Sequence, residues 1–116
     1  MSAKAIADVL RRHRFNYSNE DQLQEGIAAA LTIAGFDVER EVRLTRSSRI
    51  DLLVGSVGIE VKVAGTPIDV ASQLARYALC DRIEELVLVT SRPRHGLPPE
   101  PLGKPLEIIQ LAGAGL

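Results

Sequence analysis

Aromatic residues are scarce: of 116 residues two are Tyr, two are Phe and none is Trp. Any core must therefore be aliphatic, built from Leu, Ile, Val and Ala. The single cysteine, Cys80, excludes an internal disulfide and any cysteine-rich zinc site. No apolar run approaches the length that spans a bilayer and no secretory leader is visible, so the expectation is a soluble, cytoplasmic chain with no membrane partner. Charge of either sign is not in excess. The net value of −1 speaks against a sequence-blind nucleic-acid coat. Proline is almost missing before residue 91, where Pro67 stands alone; the other five of six fall in 91–105 and make that stretch a loop.

What is present is ordinary for a globular chain, 46% hydrophobic and 25% charged, at a length that suits one domain. The expected plan is a single domain over 1–116. Its core runs from about 19 to 91, after an N-terminal helix within 1–18 and before a Pro/Gly-rich loop, last strand and tail within 91–116. Eleven of the fourteen basic residues are arginine, most of them grouped at 11–14, 40–49 and 92–94. Arginine suits bidentate phosphate contacts, and a solvated charged surface is the alternative reading of each group.

Residues 2–14 pattern as a short amphipathic helix on Ile6, Val9 and Leu10, expected as a peripheral addition. Ser18, with Asp21 three residues on, reads as the cap of a second helix that stops at Gly35. Its inward stripe is Leu23, Ile27, Ala30, Leu31 and Ala34. At about 100° per residue Glu20 falls in line with that stripe, Gln24 lies at its edge and Glu25 points away. Residues 37–45 alternate as a strand with Val38, Val42 and Leu44 on one face.

Thr66 and Pro67 open a helix that runs to about Asp81. Residues 85–90, ELVLVT, form a continuous apolar strand of the kind buried on both faces, and 106–110 are a last strand. His13 and His95 lie in arginine-rich polar stretches and are expected at the surface. The order α-α-β-β-β-α-β-β predicts the α/β class, with a mixed sheet of four or five strands flanked by helices. No internal repeat is visible.

Residues 49–63, RIDLLVGSVGIEVKV, read as two strands joined by a glycine-flanked turn. Taking the turn as residues 55–58 sets Val54 opposite Ile59, Asp51 across from Lys62 and Leu53 across from Glu60. Alternation then places Asp51, Glu60 and Lys62 on one face. Ile50, Leu52, Val54, Ile59, Val61 and Val63 share the other, which is the core side. Asp51 and Glu60 become diagonal neighbours with backbones roughly 7–8 Å apart, near enough for both carboxylates to reach one cation. Lys62 can contact the same phosphate or the attacking water. An ordinary Asp–Lys cross-strand pair on a surface hairpin is the competing reading of these three residues.

These residues, Ile50-Asp51 followed by Ile59-Glu60-Val61-Lys62-Val63, resemble the motif of the PD-(D/E)XK nuclease superfamily. Ile50 stands where that family has a proline. Glu20, Leu23 and Gln24 are similar to the helix motif of small Holliday-junction-resolvase-like and VRR-type nucleases. Gln73-Leu74-Ala75-Arg76-Tyr77 is similar to the Gln-x-x-x-Tyr motif of RecB-type nucleases; Gln73 and Tyr77 are one turn apart and share a face. The likeness covers roughly 19–91.

It implies a restriction-endonuclease-like α-β-β-β-α-β core and a Mg²⁺- or Mn²⁺-dependent DNA nuclease. Asp51 and Glu60 would hold the metal with the Val61 carbonyl, Lys62 would be the catalytic cation, and Glu20 an auxiliary metal or water ligand. Gln73 would lie beside the active site. DNA contacts are expected from Arg46 and Arg49, with Arg76 and Tyr77 in support. Without an attached specificity module, a domain of this size is expected to read DNA shape or ends as a homodimer or within a larger complex, a junction resolvase being one such case. A catalytically silent binding or assembly module on the same fold, and a nuclease acting on RNA, stay open.

Overall fold

The computed structural model describes residues 2–93, 95 and 102–111. Eight elements follow in the expected order. They are α1 (Ala3–Arg11), α2 (Glu20–Ile33), β1 (Glu39–Arg43), β2 (Arg49–Val54), β3 (Val57–Lys62), α3 (Pro67–Ala78), β4 (Glu85–Thr90) and β5 (Leu106–Gln110). The strands make one five-stranded sheet in the order β1-β2-β3-β4-β5. β1, β2 and β3 pair antiparallel, while β3, β4 and β5 pair parallel. The expected small-residue tail beyond Leu111 and residues 94 and 96–101 of the proline-rich loop lie outside the described residues.

Both sheet faces are covered. α1 and α2 pack one face through Ile6, Leu10, Leu23, Ile27 and Leu31 against Leu52, Ile59, Val61, Val87 and Val89. α3 packs the other through Val70, Leu74 and Tyr77 against Ile50, Leu53, Leu86 and Leu88. The continuous apolar run of β4 follows from this, since every second residue feeds each core.

α1 is not a peripheral addition. Ala3, Ile6, Ala7 and Leu10 are buried, and Arg11 reaches the Glu107 carboxylate at 3.5 Å and the Ile108 carbonyl at 3.3 Å on β5. The cap of α2 is Asn19 rather than Ser18: its side chain accepts the Gln22 amide at 2.8 Å, while the Ser18 hydroxyl lies between the side chains of Gln22 and Asn16, its one proton serving both. Gly35 takes a positive φ (98°) just past the end of that helix, as a C′ glycine should. Thr66 caps α3 through the Asp69 amide at 3.1 Å, with Pro67 at the first helical position.

The hairpin differs from expectation in register. Val54 lies opposite Val57, Leu53 opposite Gly58 and Leu52 opposite Ile59. The turn is thus the tight pair Gly55-Ser56, where Gly55 takes the positive φ (60°) that the first position of such a turn requires. The pairing slides by two residues, which keeps every face. It puts Asp51 level with Glu60 rather than Lys62.

The faces change for a different reason. Glu41 in β1 has a positive φ (53°), and the ladder between β1 and β2 skips the Glu41–Asp51 pair between Arg40↔Leu52 and Val42↔Ile50. The chain kinks there, much as a bulge would. Val38 therefore packs with the α1/α2 core while Val42 and Leu44 pack with the α3 core. Ile50 likewise turns to the α3 side, away from Leu52 and Val54. The expected single faces for Val38-Val42-Leu44 and for the six hairpin aliphatics are both broken at this one kink.

Candidate functional site

The kink opens the sheet at one place. A regular hairpin in this register would pair Ile50 with Val61, yet the β2–β3 ladder ends at Leu52↔Ile59. The Val61 amide donates instead to Asp51 Oδ2 at 2.8 Å. The side chain of Asp51 thus stands in for a backbone carbonyl, and the two strands part around it.

Glu60 lies beside it on the α3 side of β3 and is 2% exposed. Its Oε1 faces the Asp51 amide at 3.4 Å and the Tyr77 hydroxyl at 3.2 Å. Its Oε2 faces Lys62 Nζ at 3.4 Å. Asp51, Glu60 and Lys62 are therefore brought together, as the alternation of the hairpin predicts. The polar face is roofed by α3 instead of being open to solvent.

Tyr77 descends from that roof. It is 1% exposed, and its hydroxyl faces the Arg49 carbonyl at 2.8 Å as well as Glu60. One proton serves these two acceptors, and Gln73 Nε2 donates to the phenol oxygen at 2.9 Å. The residues four apart on α3 thus form a chain ending on the Glu60 carboxyl. Buried and engaged in this way, Tyr77 does not reach a DNA surface; it holds Glu60.

Glu20 opens α2, and its Oε1 accepts the Val63 amide at 3.2 Å. Val61 and Val63 are two residues apart, so their N–H groups leave the same edge of the chain, about 7 Å from one another. Asp51 and Glu20 occupy that edge one after the other. Among the described residues no three His, Cys, Asp or Glu side chains gather into one metal-sized cluster, so Glu20 stands next to the acid pair and not within it.

The pair is electrostatically costly. Burial raises the Glu60 carboxyl to about 8, the Asp51 charge adds to the rise, and Lys62 opposes it. Burial also raises Asp51, against the lowering effect of the Val61 amide, Glu60 and Lys62; Glu41 adds to the rise. Burial pushes the Tyr77 phenol up, and the Glu60 and Asp51 charges push it further. Two carboxyls beside one ammonium cannot both ionise cheaply, so the pair holds on to a proton that a divalent cation could replace. Two hard oxygen donors without thiolate or imidazole suit a divalent cation such as Mg²⁺ or Mn²⁺ better than zinc.

The arginines divide. Arg46 and Arg49 are exposed, the first on the loop that enters β2 and the second at the start of that strand, two residues before Asp51. Arg40 is exposed as well but engaged: its Nε and Nη2 both donate to Oε1 of the buried Gln24, at 3.0 and 2.8 Å. Arg76 is exposed on α3, at the rim of a pocket of about 320 Å³ that Leu44, Ser48, Leu79 and Cys80 also line. Of the 92–94 group, Arg94 lies outside the described residues. Arg92 Nε donates to the Val63 carbonyl at 3.1 Å.

Comparison with protein-family models, with curated proteins and with solved structures gave no match. No helix among the described residues is long and apolar enough to cross a membrane.

Two features escaped the sequence. Glu41, whose charge acts on Asp51, has no signal beyond its place in β1. His95 is 1% exposed rather than at the surface: Nε2 donates to the Gly65 carbonyl at 2.7 Å and Nδ1 meets the Thr90 hydroxyl at 2.7 Å. Thr90 Oγ1 also accepts the Arg92 amide, so one hydroxyl joins the ring to the chain just after β4. This clasp fastens the segment after β4 to the loop that precedes α3. His13 is exposed, as expected.

Proposed function

We propose that this protein is a divalent-metal-dependent nuclease that hydrolyses phosphodiester bonds in DNA, with a restriction-endonuclease-like core. The observation that carries the reading is the parted hairpin, where Asp51 and Glu60 share one half-buried mouth with Lys62 as their nearby cation. An ordinary surface Asp–Lys pair requires neither the break in the ladder nor the burial of Glu60.

Asp51 and Glu60 are the residues to hold Mg²⁺ or Mn²⁺. The N–H and C=O of a strand residue point to the same edge, so the Val61 carbonyl is the natural third oxygen. Bound there, the cation supplies polarisation of the scissile phosphate and a water of lowered pKa. Lys62 brings positive charge to the phosphate as negative charge builds on it. Tyr77 and Gln73 fix the orientation of Glu60. Glu20, a third acid on the same edge of β3, would be an auxiliary ligand to the metal or a water, and Arg46 and Arg49 contact the DNA backbone.

Supercoiled plasmid, single-stranded DNA and a synthetic four-way junction, each with Mg²⁺ or Mn²⁺, separate the alternatives. Cleavage that is lost in Asp51→Ala and Lys62→Ala supports the nuclease. Cleavage of none of them by the wild type, with binding retained, favours a silent assembly module, and cleavage of RNA alone redirects the substrate.

A further inference from the structure

The outer face of α3 carries a pattern that the proposed active site does not use. Ile68 and Leu79 are large apolar residues left 77% and 84% exposed. Eleven residues apart, they lie within roughly 20° of one another around the helix and about 16 Å apart along it. Ser72 and Ala75 lie between them on the same stripe, both exposed and both small. Asp69 and Arg76 flank it together on one side, and among the described residues neither has an ion-pair partner.

The pattern is its own reverse. Turned end over end about the point between Gln73 and Leu74, Ile68 exchanges with Leu79 and Ser72 with Ala75. Two such helices laid antiparallel place Ile68 of each over Leu79 of the other, with the small pair at the crossing, where the backbones approach closely. A two-fold axis keeps the charged flanks on the same side. Asp69 of one copy then falls within about 3 Å, along the axis, of Arg76 of the other, and the pair occurs twice. The pocket of about 320 Å³ at the Leu79 end has Leu79 and Arg76 in its rim, so each Ile68 arrives beside it.

We infer that this face of α3 docks a second copy of the chain, through an antiparallel α3–α3 contact with reciprocal Asp69–Arg76 ion pairs. Charge complementarity picks the occupant: a heterologous partner has no need of a sequence that complements itself. One short helix buries less area than a standard stable interface, so the dimer is concentration-dependent in the absence of DNA. Arg76 is thereby assigned to the second copy and not to a phosphate. The contact lies on the opposite side of α3 from Tyr77, and it does not depend on the nuclease reading.

Sedimentation velocity of the full chain without DNA, over a wide concentration range, tests it. The wild type should pass from monomer to dimer, and Leu79→Glu should stay monomeric. Asp69→Arg and Arg76→Asp should each weaken dimerisation about tenfold, since each sets like charges opposite one another. The double reversal should bring it back to within about threefold of wild type. It retains the unfavourable charges at both helix ends, so its thermal midpoint stays lowered while its dimerisation recovers. Should Leu79→Glu fail to fold, Ser72→Arg repeats the test. A wild type monomeric throughout, or a double reversal no better than the singles, overturns the inference and leaves the proposed activity untouched.

Discussion

The Asp51 carboxylate takes the hydrogen bond of the Val61 amide, at 2.8 Å, that a regular hairpin would give to the Ile50 carbonyl. One side chain thus ends the β2–β3 ladder and stands at the mouth it opens. Its two roles can be separated. Asp51→Asn keeps an acceptor for Val61 and removes a charge from a crowded pair, so the metal-free protein should be at least as stable as wild type. Asp51→Ala leaves the amide unpaired and should fall about 1–3 kcal/mol below Asp51→Asn. Denaturant unfolding of the three proteins checks this.

Glu60 sets a pH dependence. Its carboxyl is raised to about 8, against 4.5 for an ordinary glutamate. Between those values the folded, metal-free protein keeps a proton that the unfolded chain has lost. Stability from this group is complete below about pH 4.5 and declines as pH rises toward 8, by at most about 1.4 kcal/mol per pH unit. Asp51, also raised, acts in the same direction. A divalent cation at the pair takes the place of the proton and should flatten the decline. Thermal midpoints from pH 5 to 8, with EDTA and with Mg²⁺, should diverge toward the alkaline end; parallel curves would contradict the assignment.

Tyr77→Phe removes the hydroxyl that joins Gln73, the Arg49 carbonyl and Glu60. Three polar groups lose a partner beneath α3, at a cost of about 1–3 kcal/mol. If Tyr77 orients Glu60, kcat for DNA cleavage should fall about tenfold with KM little changed, the mark of an interaction made for the reaction and not for binding. Gln73→Ala should do the same more weakly. Steady-state kinetics on one defined substrate separates this from a loss of folded protein, because the latter scales with active-site concentration.

Element order, both covered faces and the Asp51-Glu60-Lys62 grouping are legible in the residues because they rest on local pattern. The aliphatic run of β4, the Thr66-Pro67 cap and the alternation of β3 need no distant partner to be read. The register error has a local remedy: Gly55-Ser56 is a two-residue turn signal in its own right. Tyr77 also carried a signal, since Val70, Leu74 and Tyr77 recur at helical spacing and form the inward stripe of α3.

The kink is different. A glutamate at positive φ has no signature, yet Glu41 reverses the faces of Val38 and Ile50 relative to strict alternation. The burial of His95 depends on Gly65 and Thr90, and the first of these lies far away in the chain.

If Asp51 and Glu60 form a cation site, Mn²⁺ should bind between their carboxylates. A crystal soaked in Mn²⁺ and measured at the manganese absorption edge tests it most directly. An anomalous peak is expected about 2.1 Å from an oxygen of each carboxylate, with Lys62 displaced from Glu60 or turned toward solvent. That peak should be lost in Asp51→Asn. A peak elsewhere, or an empty mouth in a protein that still cleaves DNA with Mn²⁺, would contradict it.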